Sequence, residues 1–143
     1  MANYETTVPS SWDHRRTFDY LADFRNVAEW DPSISKVSLQ SGTPGAVGAV
    51  YDVTMKAVGR EMTIPYTAIE VQQPDRIRMR GETDALVSLD TITVANGAER
   101  VEVNYRAELE LKGARKLADP VAELVLHRAS DKARDGLERK LAS

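Results

Sequence analysis

The chain has 143 residues, no cysteine, 42% hydrophobic and 29% charged residues, and a formal net charge of −3. That length fits one domain, residues 1–143, around one core. The missing thiol excludes a disulfide scaffold, a thiolate zinc site and a thiol nucleophile, and two histidines at unrelated positions, His14 and His127, argue against a His-based zinc enzyme.

No stretch is basic enough to form a nucleic-acid footprint. The first residues carry no apolar core of a signal peptide, and no apolar run approaches the length of about 18 residues that a membrane span needs. The expected class is therefore a cytoplasmic globular domain without nucleic-acid partners or membrane insertion. It would be a monomer or a homodimer.

Residues 3–8 alternate weakly and stop at Pro9, which predicts a first strand. Ser10 as N-cap with Asp13 three residues on resembles a capping box and predicts a helix from there, with Phe18, Leu21 and Ala22 on its apolar face. A second short helix is expected over Asn26–Trp30, ended by Asp31-Pro32, because the residue before a proline avoids the helical region.

From Ile34 to Leu111 the hydrophobic period is two. Turn residues at Gly42–Gly45, Gly59-Arg60, Pro74-Asp75, Thr83-Asp84 and Asn96-Gly97 divide this stretch into six strands of an antiparallel meander. After Gly113 the helical period returns. Asp119 can cap and Pro120 suits the first helical position. Ala122, Leu126, Ala129, Ala133, Gly136 and Leu137 then form one stripe, small enough at four positions for close backbone approach.

A two-residue turn at Gly59-Arg60 pairs Ala57 with Met62, Met55 with Ile64, Val53 with Tyr66 and Tyr51 with Ala68, and puts all of them on one apolar face. The same reasoning at Pro74-Asp75 turns Ile77 and Met79 inward and Arg76, Arg78 and Arg80 outward, the arginines ion-pairing across strands. Glu70 falls on the inner parity opposite Met79, at a strand end where a bulge or the rim is the alternative. A turn at Asn96-Gly97 pairs Ile92 with Val101, Asp90 with Val103 and Ser88 with Tyr105, which turns Asp90 inward. A three-residue loop there would turn it outward.

One strand, two short helices, six strands and a long C-terminal helix make up the helix-grip layout. Thr17 to Asn26, followed by Ala28-Glu29-Trp30-Asp31-Pro32, resembles the helical signature of the polyketide cyclase/dehydrase branch of the START-like (SRPBCC) superfamily. Gly45 to Gly48, Tyr66 before the Gln73 to Arg76 turn, Arg80-Gly81, Asp90 to Thr93 and Tyr105 to Leu109 resemble its sheet. The resemblance implies an α+β fold: a curved seven-stranded antiparallel sheet around a long C-terminal helix, with two short helices between strands 1 and 2. It also implies a deep cavity for a lipid, sterol, polyketide or other apolar small molecule. It supplies no universal catalytic residue, and members range from cyclases and dehydratases to carriers.

The chemistry left to such a cup is that of carboxylate and tyrosine oxygens. Asp90 is the candidate catalytic residue, because an acid in an apolar cavity holds its proton towards neutral pH and can work as general acid or base. The plainer role is a structural hydrogen bond. Trp30, Tyr51, Val53, Met55, Ile64, Tyr66, Met79, Ser88 and Tyr105 are the expected ligand-lining residues. His127 lies on the far side of its helix from Ala129 and is expected at the surface. His14 has no visible partner, and Trp12 packs. Gly42, Gly45 and Gly48 precede a strand without the Lys and Ser/Thr of a phosphate loop. No cofactor or metal is expected. The expected function is binding of an apolar small molecule. A cyclase or dehydratase using Asp90 and a protein-interaction module are the alternatives.

Overall fold

The computed structural model describes residues 2–57 and 59–143, with side chains for all of these except 57 and 116–125. Seven antiparallel strands form one sheet: β1 (Ala2–Ser10), β2 (Ile34–Ser41), β3 (Val50–Ala57), β4 (Arg60–Gln72), β5 (Arg76–Glu82), β6 (Leu86–Asn96) and β7 (Val101–Leu111). Their spatial order is β1-β7-β6-β5-β4-β3-β2, so the last six strands are a meander and β1 closes it beside β7. Register shifts in β2–β3 and β4–β5 bend the sheet. Helix α1 (His14–Ala22), a 3₁₀ turn (Phe24–Asn26) and α2 (Val27–Trp30) sit between β1 and β2, and α3 (Asp119–Leu141) follows a 3₁₀ segment after β7. This is the helix-grip fold.

The helices start and stop for local reasons. Asp13, not Ser10, caps α1: its Oδ1 accepts from the Arg16 amide at 2.7 Å. Ser10 ends β1 instead, its hydroxyl 2.8 Å from that of Thr17. The strand runs through Pro9 because β1 is an edge strand, where a missing N–H can face outward. The α2 helix ends at Trp30, before Asp31-Pro32.

The faces follow the predicted parity, but the pairings differ. Between β3 and β4 the register is shifted by two residues: Ala57 pairs with Arg60, Met55 with Met62, Val53 with Ile64 and Tyr51 with Tyr66. Between β6 and β7 it is shifted by four. Asn96 pairs with Val101 around the loop Gly97 to Arg100, so that Asp90 lies opposite Ala107, Ile92 opposite Tyr105 and Ser88 opposite Leu109. Even shifts leave every side chain on its face.

Glu70 follows a bulge at Ile69. The ladder slips between Ala68 and Glu70, Glu70 pairs with Arg78, and its carboxylate lies 3.4 Å from Arg76 and 3.8 Å from Arg78 on the outer face. Of the predicted stripe on α3, Ala133, Gly136 and Leu137 are buried, joined by Leu141. The side chains of Asp119, Pro120 and Ala122 lie outside the described residues.

Candidate functional site

The concave face of the sheet, α3 and the segment from Phe24 to Ile34 enclose a cavity of about 490 Å³. That volume is in the range of small-molecule sites. Val53 and Met55 of β3 and Met62, Ile64 and Tyr66 of β4 form one wall. Leu86, Ser88 and Asp90 of β6 and Tyr105, Ala107 and Leu109 of β7 form the next. Phe24, Val27 and Asp31 close it from one side, and Leu126, Ala129, Ser130 and Ala133 of α3 from another.

Seven of the sequence-chosen residues thus meet in one cavity: Val53, Met55, Ile64, Tyr66, Ser88, Asp90 and Tyr105. Trp30, Tyr51 and Met79 do not line it. Trp30 is buried behind the wall, its ring edge-on to Tyr105 at 5.9 Å. Tyr51 is fully buried, packed against Phe24, and its hydroxyl accepts from the Gly45 amide at 3.1 Å. Met79 lies in the core between Ala68 and Asp90 on the neighbouring strands. Tyr51 and Met79 have the inward parity, and all three are buried in the core without lining the cavity.

The polar groups of the cup cluster on β4, β6 and β7. The Tyr66 hydroxyl donates to Ser88 Oγ at 2.9 Å. Asp90 is only 7% exposed. Burial pushes its carboxyl up to about 7; a hydrogen bond from the Tyr105 hydroxyl opposes this, and the nearby Asp31 carboxyl adds to it. The tyrosines are held as phenols: burial first, and then the Asp90 charge, raises both Tyr66 and Tyr105. A carboxyl that exchanges a proton near neutral pH thus stands beside two permanent hydroxyl donors.

Asp31, whose place before Pro32 marks it in the sequence only as a helix stop, is a second acid of the cup. Burial raises it too, against hydrogen bonds from the Ser33 amide at 3.0 Å and the Ser33 hydroxyl at 2.7 Å. The run Asp31-Pro32-Ser33 is a side-chain-to-backbone turn of the kind aspartate favours, and that signal was present in the sequence. Also absent from the expected set are three cations that border the cavity, Lys56, Arg128 and Lys132.

The histidines lie outside the cup. His127 is exposed, with Nε2 2.8 Å from the Asn3 carbonyl. His14 does have partners: Nδ1 is 3.0 Å from Asn96 Oδ1, and Nε2 is 3.0 Å from both the Pro74 carbonyl and Asp75 Oδ1. Trp12 packs, its indole donating to the Ser143 carbonyl at 2.9 Å. Gly42, Gly45 and Gly48 take φ of 84°, 79° and 89° in the loop before β3. Among the described residues no three His, Cys, Asp or Glu side chains are grouped to hold a metal ion, and no helix is long and apolar enough to cross a membrane.

Residues 1–142 match the family described as polyketide cyclase / dehydrase and lipid transport. No curated protein sequence matches the chain. Among solved structures, a Streptomyces aromatase/cyclase superposes with a TM-score of 0.80 at 17% identity, covering 97% of this chain and 92% of that one. A START superfamily protein from Mycobacterium smegmatis gives 0.77 at 11% identity, over 98% and 95% of the two chains. A major latex-like protein from Panax ginseng gives 0.70 at 14% identity, over 99% and 98%. At these identities the likeness is one of fold.

Proposed function

Because the chain belongs to the polyketide cyclase / dehydrase and lipid transport family, we propose that it binds a largely apolar small molecule in the cup between sheet and α3. The observation that carries this reading is the cavity itself: about 490 Å³, walled by aliphatic side chains, with its hydroxyl and carboxyl groups gathered at Tyr66, Ser88, Asp90 and Tyr105. Such a site takes an apolar body by burial and fixes its orientation through a few polar contacts. An interaction module would have this space filled by its own side chains.

The test is a titration of purified protein with Nile red, a neutral apolar fluorophore, in parallel with Ala107→Trp. Ala107 is buried, lines the cavity and lies opposite Asp90, so an indole there occupies the space a ligand would use. Saturable binding by the wild type, lost in a folded Ala107→Trp, supports the reading. Equal binding by both proteins overturns it.

A second reading, an enzyme of the cyclase or dehydratase type, rests on Asp90. A carboxyl poised at about 7 can take a proton from the carbon α to a ligand carbonyl and return it to a departing hydroxyl as water leaves. Tyr66 or Tyr105 would hydrogen-bond the carbonyl oxygen. Turnover of a polyketone substrate that survives Asp90→Asn unchanged overturns this mechanism and leaves the binding reading intact.

A further inference from the structure

We propose that the ligand is an amphiphile with one anionic end, which Lys56, Arg128 and Lys132 hold at the mouth of the cavity while its apolar body lies in the cup. This rests on the cup being a ligand site, and it names the chemistry of the part that stays outside.

The charge pattern carries the inference. The chain as a whole is acidic, at −3. Yet among the described residues the exposed charged side chains that line the cavity are all cations: Lys56 at the end of β3, and Arg128 and Lys132 on α3. None of the three forms an ion pair with a described residue. Several cations elsewhere do: Arg76 and Arg78 share Glu70, Arg80 and Lys112 share Glu82, and Lys140 meets Glu29.

Arg128 and Lys132 are four residues apart, so they stand one above the other on the same helix face. A like-charged pair at that spacing opposes the helix unless an anion lies between the two groups. The carboxylates nearby are already engaged. Asp131 accepts from the Tyr4 hydroxyl at 2.9 Å, Asp135 pairs with Arg134 at 3.0 Å, and Asp31 is held by Ser33. Glu61, opposite Lys56 on β4, accepts from the Ser35 hydroxyl at 3.3 Å, and none of these carboxylates is ion-paired with Lys56, Arg128 or Lys132.

The interior sets the orientation. Its ionisable groups are the acids Asp31 and Asp90 and the phenols Tyr66 and Tyr105, and burial disfavours further negative charge there. A molecule with one anionic end therefore enters tail first. Its head group stays in the half-wet mouth, where a cation pair is worth more than on open surface and still does not require full desolvation.

The test measures displacement of Nile red from the full-length protein at pH 7.5 by three ten-carbon probes below their micellar concentrations: decanol, decanoate and decyl phosphate. The expected result is that both anions displace the dye at about tenfold lower concentration than decanol in low salt. The gap should narrow in 0.5 M salt, on the order of threefold or more. It should close in the triple variant Lys56→Gln, Arg128→Gln, Lys132→Gln, in which decanol binds as in wild type. The ratio of decanoate to decyl phosphate then says which head group is preferred. Decanol binding as tightly as decanoate to the wild type, or an anion preference that persists in the triple variant, overturns the inference while the cavity reading stands. Failure of the wild type to bind Nile red or any of the probes overturns both.

Discussion

Gly136 of α3 lies against the carbonyl of Trp30, so closely that a Cβ built on the glycine would stand 1.9 Å from that oxygen. The C-terminal helix thus docks on α2 through bare backbone. The indole of Trp30 meanwhile supports Tyr105, one of the polar groups of the cup. One contact thus bears on both the seating of α3 and the back of the cavity.

Gly136→Ala should therefore destabilise the protein, although alanine is the better helix former by about 1 kcal/mol at an exposed site. The obstructing atom is backbone and cannot rotate away. A loss of about 1–3 kcal/mol, the usual cost of overpacking, is expected in urea unfolding. Unchanged or increased stability would mean that α3 is not seated on Trp30 as described.

Gly81 plays the same part inside the sheet. It pairs with Tyr66, and a Cβ on it would come 2.7 Å from Ile64 Cγ2 and 2.9 Å from the Tyr66 ring. Gly81→Ala should push that ring off its place, break the Tyr66–Ser88 hydrogen bond and weaken dye binding several-fold. Tyr66→Phe removes only the hydroxyl, and is expected to cost about 0.5–1.5 kcal/mol of stability with little effect on a wholly apolar dye. Comparing the two by calorimetry and dye titration separates ring position from hydroxyl.

Asp90 ties stability to pH. Its folded carboxyl titrates at about 7 against an ordinary 3.8. Between these values the folded protein keeps a proton that the unfolded chain releases, so stability falls as pH rises through that window and levels off above it. The full effect is up to ~4 kcal/mol. Asp90→Asn cannot titrate, so its advantage over wild type should grow from pH 4 to pH 7. Asp31, raised in the same direction, leaves a residual slope in the variant. Parallel pH profiles of unfolding free energy for the two proteins would contradict the burial of Asp90.

His14 also ties stability to pH in the same sense, its stabilisation falling as pH rises. Both ring nitrogens face acceptors, Asn96 on one side and Pro74 and Asp75 on the other, and all of these bonds are satisfied only by the doubly protonated ring. The hydrogen bond to Asn96, and then those to Asp75 and Pro74, raise its pKa against a smaller opposing effect of burial. That stabilisation is fully present below the ordinary value of 6.5 and is lost as pH rises through the folded pKa. His14→Ala should therefore cost more stability at pH 5.5 than at pH 8.5. Thermal unfolding at the two pH values is the check, and an equal cost at both would show that the charged form is not favoured.

The period-two pattern told which side chains face the cup, because alternation and turn residues both act through parity. Asp90 was legible for that reason. Loop lengths were not: a Gly or Asn marks where a chain turns, not how many residues the turn uses, and the registers around Gly59 and Gly97 moved accordingly. Depth was not legible either. Tyr51 and Met79 face inward but are buried in the core without lining the cavity, a matter of what the helices cover. Asp31 was hidden by its neighbour, since Pro32 accounts for the helix end without requiring the carboxyl to do anything.

The slip at Ile69 has one more consequence. Gln72 pairs with Arg76 around a loop of three residues, 73–75, so an unbroken ladder would set inward Ala68 against outward Arg80. The single unmatched residue beside Glu70 restores the match, three and one making an even count, and the same step leaves Ile69 43% exposed. The bulge thus acts as a parity bit for the hairpin. Removing one residue from the loop and the bulge together should preserve the lining of the cup, whereas removing either alone would turn one strand of it inside out.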